Sequence, residues 1–210
     1  MAHRGASKAE VENTTMAFRR AREMGAQAVE LDVRRCAGSE LVVHHGALLP
    51  DGRAIIATAK SDLPAHIPTL DEALDACEPM LVNIEIKNDP NEPDFDLTEQ
   101  SAHDVVQLLR RRGSPDLWLI SSFRRETVDA IRTLWPELNT AWLVVTIDEN
   151  DLDATARQLA AQGHRAVHPW VNSLTRNAVE VFHRHGLQIN TWTCDDPARM
   201  KELIEWGVDG

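Results

Sequence analysis

The sequence predicts an α/β fold, a single-domain (β/α)8 barrel of the TIM type over residues 1–210. Short β-like runs alternate with amphipathic helical runs along the chain. Repeat units of about 25 to 40 residues of this kind are typical of parallel strands joined by right-handed crossovers. No glycine-rich loop follows a strand, which disfavours the alternative of an open, nucleotide-binding sheet. Polar residues recur at the ends of several strands, where barrel enzymes carry their sites.

The elements follow in a regular order. Strands are predicted at residues 29–33, 81–87, 117–121, 141–145, 165–168 and 187–192. Helices are predicted at residues 15–24, 70–76, 97–112, 124–134, 152–162, 173–185 and 197–205. Only Met1 and Ala2 precede the first polar cluster, and the chain stops at residues 208–210, where an eighth strand would begin. We therefore expect the first and last strands of the barrel to be truncated.

The composition excludes several classes of partner. The formal net charge of −11 at pH 7 argues against nucleic acid and against an anionic membrane surface. An anionic substrate would need local positive charge, from basic side chains or a bound cation. No apolar run reaches the roughly 18 to 20 residues of a membrane span, and residues 1–5 lack the layout of a signal peptide. We expect a cytoplasmic protein without stable membrane insertion, and the sequence does not predict its oligomeric state.

Two predicted strands carry charged side chains on one face and apolar side chains on the other. Glu30 and Asp32 share the polar face of one strand, and Glu85 and Lys87 share that of the next. Neighbouring carboxylates repel unless a cation lies between them. Oxygen ligands favour Mg²⁺ or Ca²⁺ over zinc, and Glu85 can complete a site of three carboxylates. The alternatives are a solvated edge strand for the first pair and an ordinary ion pair for the second.

Histidines supply the second kind of candidate. His3 is expected at the end of the first strand, and His44 and His45 follow the apolar run at residues 41–43. Alternation places His45 on the face of residues 41 and 43. Two neutral imidazoles on opposite sides of a phosphate can act as general base and general acid. The alternative for any single histidine is a surface or capping role.

A series of short motifs runs through the whole chain in order. The motifs are His3-Arg4-Gly5-Ala6, Glu12-Asn13-Thr14, Ala17-Phe18, Glu30-Leu31-Asp32-Val33, Val42-Val43-His44-His45, Pro68-Thr69-Leu70, Asn83-Ile84-Glu85-Ile86-Lys87, Ser121-Ser122-Phe123, Trp192-Thr193 and Gly207-Val208-Asp209-Gly210. Together they resemble the glycerophosphodiester phosphodiesterase family. Asn13 or Thr14 can also serve as a helix N-cap without any catalytic role.

The resemblance implies a fold, a reaction and a set of site residues. The implied fold is the (β/α)8 barrel. The implied reaction is hydrolysis of a small-molecule glycerophosphodiester to glycerol 3-phosphate and an alcohol, with one divalent cation, Mg²⁺ or Ca²⁺. The implied site residues are the acid/base histidines His3 and His45, the metal-holding Glu30, Asp32 and Glu85, the phosphate-contacting Arg4 and Lys87, and the aromatic Trp192 at the site wall. An insertion at about residues 46–67 corresponds to a variable, lid-like segment.

The chain departs from the family pattern at two positions, and two other functions compete. Val11 stands where the family commonly has proline, and Gly46 stands where it usually has aspartate after the second histidine. One rival is a lipid phosphodiesterase resembling lysophospholipase D or sphingomyelinase D, since the insertion carries five apolar residues, Leu48, Leu49, Ile55, Ile56 and Leu63. The other is a non-catalytic, phosphodiester-binding barrel.

Overall fold

Strands alternate with helices throughout the computed structural model, which describes all 210 residues. The strands are β1 (Ala2–His3), β2 (Ala28–Arg35), β3 (Leu41–Val43), β4 (Leu81–Ile86), β5 (Trp118–Ser122), β6 (Asn139–Val144), β7 (Ala166–Pro169) and β8 (Gln188–Ile189). The α-helices are α1 (Thr15–Glu23), α2 (Leu70–Cys77), α3 (Gln100–Arg112), α4 (Arg125–Leu134), α5 (Leu152–Ala161), α6 (Arg176–Arg184) and α7 (Pro197–Trp206). Residues 1–138 and 139–210 form two compact units, each described by itself. The single domain stays a prediction.

The first unit contains a parallel sheet with one antiparallel branch. β1, β2, β4 and β5 are parallel neighbours in that order. β3 pairs antiparallel with β2, an exception to the parallel strands that the sequence predicts. The connection from Arg35 to Leu41 is too short for a parallel crossover, which needs a dozen or more residues. Instead it turns back as a hairpin, in which the amide of Cys36 donates to the carbonyl of Glu40 at 2.9 Å.

The core of the first unit lies between its sheet and its helices. Val29, Leu31 and Val33 of β2 are fully buried there, together with side chains from α1 to α4. Burial of such a side chain stabilises the fold by roughly 1.5 to 3 kcal/mol. Because strand side chains alternate, this core fixes Glu30 and Asp32 on the opposite face of the sheet. The sequence-predicted division of β2 into an apolar and a polar face is confirmed.

The insertion at residues 46–67 lies between β3 and α2 and has a small core of its own. It contains two 3-10 turns, Ile55–Ala57 and Lys60–Asp62. Its buried apolar cluster comprises Cys36, Val42, Leu49, Ile55, Leu63 and Ile67. Three of the five apolar residues that favoured a lipid-binding rim are therefore buried within this cluster. Leu48 is the one large exposed hydrophobic residue among the five.

The second unit is a three-stranded parallel sheet with its own core. β6, β7 and β8 are neighbours in chain order, and α5, α6 and α7 contribute to the core against them. The amides of Asp209 and Gly210 both donate to the carbonyl of Ile189, at 2.9 and 3.1 Å, and the amide of Thr191 donates to Gly210 at 2.8 Å. Residues 209–210 thus lie beside β8. The sequence predicts that the last strand of the barrel begins at this point of the chain.

Threonine side chains cap two of the four α-helices in the first unit, α1 and α2. Thr14 caps α1 by accepting from the amide of Ala17 at 3.1 Å, which decides between the two N-cap candidates. Thr69 caps α2 in a reciprocal box: its hydroxyl accepts from the amide of Glu72, and Glu72 accepts from the amide of Thr69 at 2.8 Å. None of the seven α-helices combines the length and the apolar composition needed to cross a membrane.

Removal of the α2 cap should destabilise the first unit measurably. Thr69→Ala leaves the amide of Glu72 without its side-chain acceptor, so we expect the free energy of unfolding to fall by about 1 kcal/mol. Thr69→Ser keeps the hydroxyl and should stay within about 0.5 kcal/mol of the parent. Urea denaturation followed by far-ultraviolet circular dichroism measures both. An equal loss in the two variants would assign the effect to the methyl group instead of the cap.

Candidate active site

Three buried carboxylates meet on the polar face of β2 and β4. The parallel register pairs Asp32 with Glu85 and Glu30 with Asn83. One ligand oxygen from each of Glu30, Asp32 and Glu85 lies within 4.8 Å of the other two. The structure therefore brings together the three residues that the sequence predicts to hold a metal ion.

The three carboxyl groups do not share one electrostatic environment. Burial, followed by the charges of Asp32 and Glu85, raises the pKa of Glu30 well above its ordinary value. Burial also raises the pKa of Glu85, although Lys87 opposes this. For Asp32, burial is outweighed by contacts with His45, Lys87 and Arg4, which lower its pKa. Asp32 is thus the carboxylate that the surrounding cations and donors keep ionised.

Lys87 directly follows β4 and lies against two of these carboxylates. Its Nζ donates to Oε1 of Glu85 at 2.7 Å and lies 3.4 Å from Oδ1 of Asp32. Burial disfavours the charged amine, but the two carboxylates outweigh it and raise the pKa of Lys87. The ammonium group also lies 6.0 Å from the centre of the Phe123 ring. Lys87 therefore remains protonated and available to an anion at this edge of the sheet.

A tight turn at the end of β1 carries His3 and Arg4. Gly5 has a φ of +80°, and a Cβ atom there would lie 2.7 Å from the backbone carbon of Ala17, so only glycine fits against α1. This turn directs the amide of Arg4 to Oε2 of Glu30 at 3.0 Å. Nε2 of His3 lies 3.8 Å from the same oxygen. Burial and the charge of Arg4 lower the pKa of His3, which favours the neutral imidazole.

His45 contacts both the carboxylate site and Arg4. Its Nδ1 lies 3.3 Å from Oδ1 of Asp32, and its Nε2 lies 3.3 Å from Nη2 of Arg4. Because a guanidinium group only donates, Nε2 is the acceptor and Nδ1 carries the hydrogen directed at Asp32. Arg4 also pairs with Glu12 at 3.0 Å and places Nε 3.2 Å from Asp32. This hydrogen-bond pattern favours the tautomer of His45 with an unprotonated Nε2.

The position of His45 does not follow from the alternation of side chains along a strand. β3 ends at Val43, and the next residues form a turn in which Nδ1 of His44 lies 2.7 Å from the carbonyl of Gly46. A Cβ atom on Gly46 would approach the carbonyl oxygen of Leu48 to 3.2 Å, a close but not prohibitive contact. The turn thus directs His45 to Asp32 without the aspartate that the family usually has at position 46.

Asn13 is a site residue that sequence reasoning did not identify. The sequence suggests only an N-cap role for it, and Thr14 performs that role. Nδ2 of buried Asn13 donates to Oδ2 of Asp32 at 2.8 Å, and its Oδ1 accepts from the amide of Asp32 at 3.3 Å. The motif at residues 12–14 contains a signal for this role. Thr14 alone is enough to cap the helix, so the polar side chain of Asn13 is left for another contact. Asn13 fixes the orientation of the Asp32 carboxylate.

Trp192 belongs to the second unit. It forms an isolated parallel bridge with Trp170, and its Nε1 donates to the carbonyl of His168 at 2.7 Å. Nδ2 of Asn190 lies 2.9 Å from Nε2 of His168. Burial lowers the pKa of His168 to about 3, so the ring is neutral and accepts the amide hydrogen of Asn190. Both Trp192 and Asn190 are thus fixed against β7.

The residues present fit a divalent cation. Oε1 of Glu30 is buried and has no hydrogen-bond partner, an arrangement that costs free energy unless a cation satisfies it. All three candidate ligands are carboxylates, the type that Mg²⁺ and Ca²⁺ prefer. Burial raises the pKa of both Glu30 and Glu85, so a bound cation would favour the ionised forms of these two carboxyl groups.

Comparisons with known proteins agree with this geometry. The sequence profile described as "Glycerophosphoryl diester phosphodiesterase family" matches residues 3–210. The chain belongs to this family. A glycerophosphodiester phosphodiesterase of Caldanaerobacter subterraneus subsp. tengcongensis is 26% identical over 230 residues, with 100% of this chain and 91% of that relative covered. One of Bacillus subtilis (strain 168) is 24% identical over 237 residues and covers 100% of this chain and 81% of its own length.

Solved structures of phosphodiesterases match 99% or more of the chain. An Oleispira antarctica phosphodiesterase, solved with the product sn-glycerol-3-phosphate, has a TM-score of 0.88 at 25% identity and covers 99% of this chain and 89% of its own. The Thermotoga maritima glycerophosphodiester phosphodiesterase has a TM-score of 0.83 at 26% identity and covers 100% and 91%. The predicted family and the predicted α/β fold class of the TIM type are confirmed.

Replacement of one buried carboxylate should have opposite effects with and without a divalent cation. Without the cation, Glu30→Gln replaces a carboxyl group whose pKa is raised by burial and by the neighbouring carboxylates, so we expect it to raise the free energy of unfolding at pH 7. With Mg²⁺ or Ca²⁺ at 100 times its Kd, the parent should gain about 2.7 kcal/mol, and the variant much less. Urea denaturation in chelator and in metal measures both effects. Exposed Glu180→Gln is the control, and equal metal effects in all three proteins would contradict the site.

The buried His168 should make stability depend on pH. Because its pKa falls from 6.5 to about 3 on folding, the unfolded chain takes up a proton that the folded protein excludes. Its contribution is present above about pH 6.5 and is lost as pH falls, by about 1 kcal/mol between pH 7 and pH 5.5. His168→Gln should reduce this loss by that amount. Urea denaturation at both pH values tests it, and an unchanged pH slope in the variant would refute the assignment.

Proposed function

We propose that this chain hydrolyses glycerophosphodiesters to glycerol 3-phosphate and an alcohol, with one divalent cation, Mg²⁺ or Ca²⁺, held by Glu30, Asp32 and Glu85. The observation that carries the proposal is the direct contact between this carboxylate cluster and two histidines. His3 lies 3.8 Å from Glu30, and His45 lies 3.3 Å from Asp32. The product bound in the Oleispira structure supports glycerol 3-phosphate as the product here.

Charge near the site suits a phosphodiester. The protein carries a net charge of −11, which opposes the approach of an anion. Arg4 and Lys87 are the basic side chains in contact with the carboxylate cluster. A bound cation would supply Lewis-acid stabilisation of the charge that develops on the phosphate oxygens. Arg4 and Lys87 would bind and orient the phosphate group, which is the task that the resemblance implies for them.

The two histidines supply the proton transfers. One imidazole takes the proton of the attacking oxygen as the new bond to phosphorus forms, and the other protonates the departing alcohol as its bond to phosphorus breaks. The tautomer of His45 leaves Nε2 unprotonated, so this nitrogen can accept a proton in place of its hydrogen bond from Arg4, and Asp32 would stabilise the imidazolium that results. Two attacking groups fit this chemistry: water, or the glycerol hydroxyl through a cyclic phosphate that water then opens.

The residues in contact with the carboxylate cluster should be required for turnover. With glycerophosphocholine and Mg²⁺ or Ca²⁺, we expect the purified protein to release glycerol 3-phosphate. His3→Ala and His45→Ala should each lower kcat by about 10²- to 10⁴-fold, because each removes a proton-transfer group, and chelator should abolish release. His185→Ala is the control, since this histidine pairs with Asp153 on the surface of the second unit.

Three other outcomes would change the conclusion. Cleavage of lysophospholipids without cleavage of glycerophosphodiesters would assign the chain to the lipid phosphodiesterases. Tight binding of both compounds without turnover would indicate a non-catalytic binding protein. Release that is unaffected by chelator would refute the metal requirement.

A further inference from the structure

A fully buried arginine lies beside the candidate acid/base residue. Arg34 is on β2, two residues after Asp32 on the same polar face, and its side chain is 0% exposed. Its Nε and Nη2 both donate to the carbonyl oxygen of His45, at 2.9 and 2.7 Å. Its remaining donors contact Asp94 at 2.6 Å and Glu92 at 2.8 Å. Neither the predicted site nor the proposed reaction uses this residue.

Stability alone does not explain such a group. A buried ion pair contributes little to stability on balance, because the desolvation of both charges offsets their attraction. What the arrangement does supply is geometry. Two N–H groups of one planar guanidinium converge on a single peptide oxygen, which fixes the position and the tilt of the His45 peptide. β3 ends at Val43; beyond it the amide of His44 still donates to the carbonyl of Asp32 at 3.0 Å, and the carbonyl of His45 accepts from Arg34.

The acceptors that hold Arg34 come from a braced segment. Glu92 and Asp94 lie between β4 and α3, in the segment that begins at Asn88, the residue after Lys87. Asn88 closes this segment: its Oδ1 accepts from the amide of Asp96 at 2.9 Å, and its Nδ2 donates to the carbonyl of the same residue at 2.9 Å. The carboxylates that hold the guanidinium are therefore themselves fixed, and the segment that follows Lys87 is connected to the turn that carries His45.

We propose that Arg34 is a positioning residue for His45, which it clamps by the backbone while Asp32 orients the ring. The clamp sets the distance of Nε2 from the phosphate, and the paired carboxylates of Glu92 and Asp94 keep the guanidinium in place. A displacement of about 1 Å in a reacting group can cost about 10²-fold in rate. The kinetic part of this proposal rests on the proposed function, whereas the placement of the imidazole does not.

Kinetics can separate positioning from general support of the fold. We expect Arg34→Met to lower kcat for glycerophosphocholine by about 10- to 100-fold, with KM changed by less than about threefold. Arg34→Lys keeps a positive charge but lacks the two fixed N–H groups that donate to the carbonyl of His45. Its kcat should therefore be as low as that of Arg34→Met. In a His45→Ala background, Arg34→Lys should cause no further loss, because Arg34 acts through that imidazole. A full further loss in that background, or a normal kcat in folded Arg34→Lys, would overturn the proposal.

A matched control is available in the same unit. Arg112 also joins several carboxylates, Asp71, Asp75 and Glu78, but on the outer helices. Arg112→Met removes an arginine with several carboxylate partners that does not contact His45, so it should leave kcat unchanged. If Arg34→Met does not fold, Asp94→Asn and Glu92→Gln loosen the clamp while the arginine stays in place. Both should lower kcat in the parent and not in the His45→Ala background, and the opposite pattern refutes the clamp.

A readout that needs no activity distinguishes failure of the clamp from failure of the proposed function. Long-range ¹⁵N–¹H NMR correlations at pH 8 report which ring nitrogen of His45 carries the hydrogen. We expect a single tautomer protonated at Nδ1 in the parent and a mixture in Arg34→Lys. This result supports the clamp even if no glycerophosphodiester is cleaved. An unchanged tautomer in Arg34→Lys overturns the clamp even if the parent is active.

Discussion

The mutual repulsion of three buried carboxylates is the constraint around which the site is arranged. Glu30, Asp32 and Glu85 are held together because the apolar side chains of β2 and β4 face the helices, and the parallel register then aligns the opposite faces. A slip of one residue would direct the carboxylates into the core and the valines out of it. The free energy of the apolar core therefore offsets the cost of this concentrated negative charge, which the fold alone would not favour.

The basic residues of the first unit pair with two different sets of acidic side chains. Arg4 and Lys87 contact the carboxylates directly, whereas Arg34 pairs with two further acids that lie outside the cluster. The net charge of the whole chain gives no indication of this division. In an acidic protein, an anion is attracted by a few cations placed within the reach of its oxygens, where solvent screening is weak.

The sequence predicted the carboxylates well and the residues around them less well. Alternation along β2 and β4 was enough for Glu30, Asp32 and Glu85, because strand periodicity survives in the fold. It was not enough for His45, whose position depends on a turn after β3, or for β3 itself, which the short hairpin makes antiparallel. Asn13 and Arg34 were missed because their contacts are made across 19 and 11 residues of sequence, and no local pattern encodes such a distance.

The insertion between β3 and α2 is stabilised by contacts that do not involve the carboxylate site. Its apolar residues pack on one another and on Cys36 and Val42, whereas the carboxylates are fixed by the sheet. A module with its own core can change in length and composition while the strands beneath it keep their register. Protein engineers can therefore exchange the insertion as one unit and leave the strands that carry the carboxylates unchanged.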